Sequence, residues 1–161
     1  MQRKRSTATS EIEFDYRPWP GRIDVHRIVP RIDTIPLTDL IDTFEICADM
    51  QPAGDAYGGL VPEFVRFESA TDHFHGFSRL TRRKKTPVLA CSCGEMDCWP
   101  LLTRITLTGD LVVWDCFEQP YRPTRDYTGF GPFLFDRNQY DNAVRDLSPP
   151  SPPSNDTGVG P

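Results

Sequence analysis

Three of the chain's five cysteines fall within eight residues, in the segment CSCGEMDC that runs from Cys91 to Cys98. Cys91 and Cys93 stand two apart, so in an extended backbone their thiols point to the same side. Gly94 can take the left-handed conformation that a sharp turn needs, and Cys98 can then return to the same point. The C-x-C-x4-C pattern is therefore competent to bind a thiophilic metal. Zinc is the expected ion, since it takes thiolates at about 2.3 Å and wants four ligands in a tetrahedron. The segment supplies three. Cys116 is the favoured fourth ligand, because residues 101–117 read as a hairpin that can fold it back beside the turn. His73 or His75, two apart in DHFHG, could take that place instead. Cys47 falls on an apolar helical stripe and reads as a small buried hydrophobe.

The same thiols leave other readings open. They can be reduced side chains that only pack in a tight turn, a redox pair of Cys93 with Cys98, or the nucleophile of a thiol- or metal-dependent enzyme using Cys91, Cys93 or Cys98. A redox or nucleophilic role needs a thiol pKa lowered by a nearby cation or helix N-terminus. Glu95 and Asp97, inside the motif, push the other way. A bound metal tolerates those acids, because its own charge dominates the site. The sequence holds no glycine-rich phosphate loop, no H-E-x-x-H and no G-x-S-x-G. No residue is assigned a catalytic role, and the balance leans away from an enzyme.

A second concentration of chemistry lies downstream. Trp99, Trp114, Phe117, Phe130, Phe133 and Phe135 alternate with a loop bearing Glu118, Tyr121, Arg122, Arg125 and Tyr127. The strand aromatics Trp114, Phe133 and Phe135 read as core. The five loop residues are the candidate binding surface, since arginine and aromatic side chains on a rigid loop are suited to recognition.

Composition bounds what these residues can serve. The chain has 161 residues, 38% of them hydrophobic, with ten Phe and three Trp. That is enough for an ordinary core in one domain. A net charge of −5 is a poor match for nucleic acid, whose phosphates call for clustered Lys and Arg. No apolar run approaches a membrane span. The N-terminal MQRKRSTATSEIEF lacks an apolar stretch and is not read as a secretory signal. The expected location is the cytoplasm, where cysteines stay reduced and favour metal or thiol chemistry over disulfides.

The elements that must position these groups follow from periodicity. Residues 11–16 alternate like a half-buried strand, ended by Pro18 and Pro20-Gly21, and RIDVHRIV forms a second strand closed by Pro30. Leu37, Leu40, Ile41, Phe44, Cys47 and Ala48 share a helical face, predicting a helix over 37–50 with Thr38 as its cap. Residues 64–67 read as a short strand, and Arg82-Arg83-Lys84-Lys85 as a solvated loop before the strand 88–90. The hairpin over 101–117 turns at Gly109-Asp110. It is expected to put Val112, Trp114 and Cys116 on one face and Val113, Asp115 and Phe117 on the other. A second helix over 136–147 is capped by Asp136, with Gln139 in the capping-box position. The fold class is α+β: a mostly antiparallel sheet with two short helices, and a single globular domain over 11–147. Residues 1–10 and the Pro/Ser-rich 148–161 read as disordered tails.

The segments CSCGEMDCWPLLTRI, VVWDCFEQPYRP and YTGFGPFLFDRNQY stand in linked order over residues 88–147. In them the chain resembles a group of small uncharacterised bacterial proteins, often actinobacterial. That group carries C-x-C-G-E-x-x-C-W-P-L, W-x-x-F-E-Q-P and G-P-F-x-F-D segments. The resemblance implies that the cysteine turn, the tryptophan strand and the last helix form one structural unit, and it implies no activity. Taken together, the residues point to a non-catalytic binding protein whose partner is another protein, with a structural zinc at the cysteine turn.

Overall fold

The computed structural model describes residues 8–65, 69–95 and 98–147. The tail assignments at 1–7 and 148–161 fall outside them. Two antiparallel sheets carry the fold. The first has the order β1-β2-β3, from β1 (Ile12–Trp19), β2 (Arg22–Ile32) and β3 (Ile35–Pro36). The second has five strands in sequence order: β4 (Tyr57–Gly58), β5 (Thr86–Cys91), β6 (Leu101–Leu107), β7 (Leu111–Glu118) and β8 (Phe133–Asp136). The helices α1 (Leu37–Cys47) and α4 (Arg137–Leu147) are the two expected ones. Two shorter helices, α2 (Pro62–Val65) and α3 (Ala70–Phe74), join them. The architecture is the α+β class expected.

The prolines did not stop the first strands where the sequence suggested. β1 runs through Pro18, and β2 runs through Pro30, which pairs with Phe14. The Ile28 N–H bonds Leu60 O at 2.7 Å on the edge away from β1. Pro30, two residues on, faces the same edge, so its missing donor costs no ladder bond to β1. That Ile28–Leu60 bridge links the three-stranded sheet to the chain entering α2. Gly59 permits it, because a Cβ there would meet Ile28 O at 2.5 Å. At the other end the Ser10 N–H donates to Leu134 O at 2.7 Å, which joins Ser10 to β8.

Helix α1 differs from its prediction in both cap and face. It starts one residue before Thr38, the N-cap position falls on Pro36, and no side chain caps it. Its buried stripe is Leu37, Ile41 and Glu45, while Cys47 is exposed. The helix thus buries a carboxyl group where the sequence offered a thiol. Residues 64–65, read as part of a strand, lie in α2, and 66–67 fall outside the described residues. At α4, Asp136 Oδ2 accepts from the Gln139 N–H at 3.0 Å, as a cap should. The Gln139 side chain does not reciprocate. It turns to β1, accepting from the Ile12 N–H at 3.0 Å and donating to Ile12 O at 2.6 Å. The cap residue so becomes a clamp between α4 and the first sheet.

The core joins both sheets and the helices: Ile12, Ile28, Leu37, Ile41, Leu89, Leu101, Trp114, Phe135 and Tyr140 are all buried. Tyr140 sits at its centre. It accepts from Trp114 Nε1 at 3.1 Å and donates to Phe74 O. Burial raises its hydroxyl pKa above the ordinary value.

Candidate metal centre

The cysteine turn closes as its spacing requires. Gly94 adopts φ 89°. Its N–H bonds Cys91 O at 2.8 Å, and the Cys91 N–H bonds Glu95 O at 3.2 Å. The Ser92 N–H donates to Ala56 O at 2.9 Å, fastening the turn to the chain that enters β4. The close approach of β4 needs Gly58, where a Cβ would meet Cys91 O at 3.0 Å. The turn delivers the Sγ atoms of Cys91, Cys93 and Cys98 to within 4.8 Å of one another, with Cys93 and Cys98 at 3.2 Å. Sulfurs around a tetrahedral zinc stand about 3.8 Å apart, given zinc–sulfur bonds of about 2.3 Å. The cluster therefore accepts such an ion with sub-ångström adjustments. Cys93 and Cys98 are exposed and Cys91 is half-buried, so the site is open to solvent. Met96 and Asp97, in the same turn, lie outside the described residues.

The thiols already act on one another electrostatically. Burial pushes the Cys91 pKa up, but the Cys93 N–H and hydrogen bonds from Cys93, Cys98 and Ser92 outweigh it, and the net shift is downward. Cys98 is pushed up to about 12, first by its contact with Cys93, then by burial and by Cys91. Cys98 thus keeps its proton beside a Cys91 thiol that gives its own up more readily. A cation bound among them would displace those protons.

The three other expected ligands are placed elsewhere. Cys116 is exposed and has φ 53°. It lies at a register shift where Leu102 faces Glu118 but Arg104 faces Asp115. This bulge flips the alternation of β7, so Phe117 rather than Cys116 follows Trp114 into the core. Cys116 then belongs to the outer face, beside the bidentate pair of Arg104 with Asp115 at 2.9 and 2.7 Å. His73 is fully buried, and its Nε2–H donates to Pro87 O at 2.7 Å. His75 points the other way, with Nδ1 on Thr71 O at 2.6 Å and Nε2 on Asp141 Oδ1 at 2.7 Å. Its role is to tie α3 to α4.

Immediately behind the turn lies a polar cluster that the sequence did not announce. Trp99, next to Cys98, is buried and meets Tyr57 edge to face at 6.1 Å between ring centroids. The Arg122 guanidinium lies 3.4 Å above the Trp99 ring and donates to Cys98 O at 3.1 Å. Arg125 stands 5.1 Å from the same ring and forms an ion pair with Glu45 at 3.3 Å. Glu45 Oε2 accepts from Tyr57 at 2.6 Å and from Tyr127 at 2.5 Å, and Gln119 donates to the Tyr57 hydroxyl at 2.6 Å. Burial, and then the bond to Glu45, raise the pKa of both tyrosines. Of the five loop residues assigned to a binding surface, Tyr127 and Arg125 therefore face Glu45, inside the protein. Arg122 lies flat on Trp99. Tyr121 is exposed and accepts from Arg82 at 2.7 Å, and Glu118 accepts from Lys85 at 3.1 Å.

Arg82 to Lys85, expected as a solvated loop, form a tight turn with Arg82, Arg83 and Lys84 exposed. Arg82 and Lys85 exchange backbone hydrogen bonds of 2.8 Å, with Arg83 and Lys84 both at positive φ. Among the described residues, no helix is long and apolar enough to cross a membrane. No family model matches the chain, and no curated protein or solved structure is similar to it at a significant level.

Proposed function

We propose that this is a non-catalytic, cytoplasmic binding protein, built as one folding unit over residues 11–147, with a structural zinc ion held by Cys91, Cys93 and Cys98. The observation that carries the reading is the convergence of three thiol sulfurs within 4.8 Å on a turn bolted to the 119–127 loop. The bolt is Arg122, which holds the Cys98 carbonyl and the Trp99 ring together. A metal there stiffens the end of the sheet from which Tyr121 and its neighbours project, and another protein is the partner such a surface suits. Reduced thiols are also what a cytoplasmic site requires.

The test is metal content by mass spectrometry on untagged protein, with melting temperature before and after chelation. One equivalent of zinc and a large fall in melting temperature are expected. Absence of metal, with three freely titrating thiols, refutes the reading. The exposure of Cys93 and Cys98 favours a second reading, a thiol- or metal-dependent enzyme. That reading predicts bound metal whose removal leaves the melting temperature unchanged, since a catalytic site keeps an open position and is not needed for folding.

A further inference from the structure

Cys93 and Cys98 are in direct contact, Sγ to Sγ at 3.2 Å, and both are exposed. A disulfide sets its sulfurs about 2 Å apart, so closing the gap takes little more than side-chain rotation. Cys91, the third thiol of the cluster, is half-buried at the end of β5. Its backbone is pinned to the turn by the bonds from its own N–H to Glu95 O and from the Gly94 N–H to its carbonyl. Cys47 and Cys116 are exposed but stand outside the cluster. The turn therefore presents one solvent-facing thiol pair. An accessible thiol beside a resolving thiol is the arrangement in which oxidation stops at a disulfide instead of running on to irreversible acids.

We infer that Cys93 and Cys98 form a redox modification site whose oxidant is hydrogen peroxide, and that closing the disulfide expels the metal. One thiol sulfur attacks a peroxide oxygen and the O–O bond breaks. That sulfur becomes a sulfenic acid, and the departing hydroxide leaves as water with the thiol's proton. The second sulfur then attacks the sulfenic sulfur, the S–O bond breaks, and a second water leaves with the second proton. The two sulfurs together give up two electrons, and the peroxide is reduced to two waters. Glu95, two residues from Cys93, repels negative charge on sulfur and slows the first attack. The second attack joins atoms already in contact, so it outruns competing thiols from solution. The site thus answers to sustained oxidant and is no fast peroxidase. The disulfide removes two of the three donors and leaves Cys91 alone, where a zinc site uses four ligands. A dithiol reverses the change by exchange, becoming a disulfide itself. The inference rests on the proposed metal site and gives that site its regulation.

Zinc-loaded full-length protein would be titrated with hydrogen peroxide while a zinc indicator, the free-thiol count and the intact mass are followed together. The five free thiols should fall by two, the mass by two hydrogens, and one zinc should be released per link. Cleavage after Glu95 separates Cys93 from Cys98, so a surviving pair of joined peptides locates the bond. A dithiol with added zinc should restore the loaded form. Cys91→Ser and Cys93→Ser should both lack zinc, so comparing them cancels metal loss and any shared folding defect. Cys91→Ser should still form the link to Cys98, and Cys93→Ser should not. The inference is overturned by sulfinic acid in place of the link, by an equal link in Cys93→Ser, by its loss in Cys91→Ser, or by zinc retained once the link has formed. Zinc bound with no link at any peroxide concentration removes the redox site and leaves the metal reading standing. A link formed by protein that never carries zinc does the reverse.

Discussion

His73 should make this fold acid-sensitive in a calculable way. The ring is fully buried against Phe74, and its Nε2–H is committed to Pro87 O at 2.7 Å. Burial, opposed only in part by that hydrogen bond, lowers its pKa from 6.5 to about 4. In the unfolded chain the imidazole takes a proton near pH 6.5, whereas in the folded chain it resists until about pH 4. Between those values the unfolded state binds more protons, so stability is complete above pH 6.5 and is lost as pH falls. Linkage with these two values gives a loss of about 2 kcal/mol between pH 7 and pH 5. The assay is urea unfolding at half-unit pH steps on the wild type and on His73→Gln, whose amide can still donate toward Pro87. Acid displacement of metal and carboxylate protonation act on both proteins, so the difference between the two curves isolates His73. The wild type should lose about 2 kcal/mol more than the variant over that range. Parallel curves would refute the assignment of a buried, neutral His73.

Four further outcomes follow from particular contacts. Cys116→Ser should leave zinc content unchanged, whereas Cys91→Ser or Cys93→Ser should abolish it, as read by mass spectrometry; equal loss in all would return Cys116 to the site. Glu45→Gln removes a carboxylate from Arg125, Tyr57 and Tyr127. Breaking a buried pair of this kind costs about 3–5 kcal/mol, visible in the urea midpoint. Gly59→Ala forces a Cβ to 2.5 Å from Ile28 O and should part the Ile28–Leu60 bridge, costing about 2 kcal/mol in the same assay. Arg122→Ala uncovers Trp99, and its fluorescence should shift to longer wavelength; an unchanged spectrum would show that the ring is shielded without the guanidinium.

The hairpin of β6 and β7, the strand β5 and the helices α1 and α4 were legible because their patterns are local. The same is true of the cysteine turn, where C-x-C and Gly94 dictate the geometry within eight residues. What was not legible depends on contacts distant in sequence. Cys116 follows the alternation of its strand until the bulge opposite Thr103 turns it outward, and the residue pattern carries no mark of that bulge. Cys47 looked apolar and Glu45 polar, yet Glu45 is buried because Tyr57 and Tyr127, 12 and 82 residues away, satisfy it. A signal did exist. Glu45 continues the Leu37–Ile41 series at a spacing of four, and a charge on such a stripe calls for a partner. Gln139 was correctly read as sitting at a cap, but its side chain answers to Ile12 across the molecule.

The carboxyl group of Glu45 also orders events on the way to the native state. Helix α1 can coil as soon as it is synthesised, but it cannot seat its Glu45 face until Arg125 and Tyr127 arrive, some eighty residues later. An N-terminal fragment ending before residue 125 would have to bury an unpartnered acid or leave the helix undocked. The amino-terminal sheet and helix should therefore lack stability of their own and be vulnerable to proteases until translation passes the loop. Nonsense products truncated in that interval would be cleared rather than accumulate as half-molecules, and the two halves of the chain should melt in a single transition.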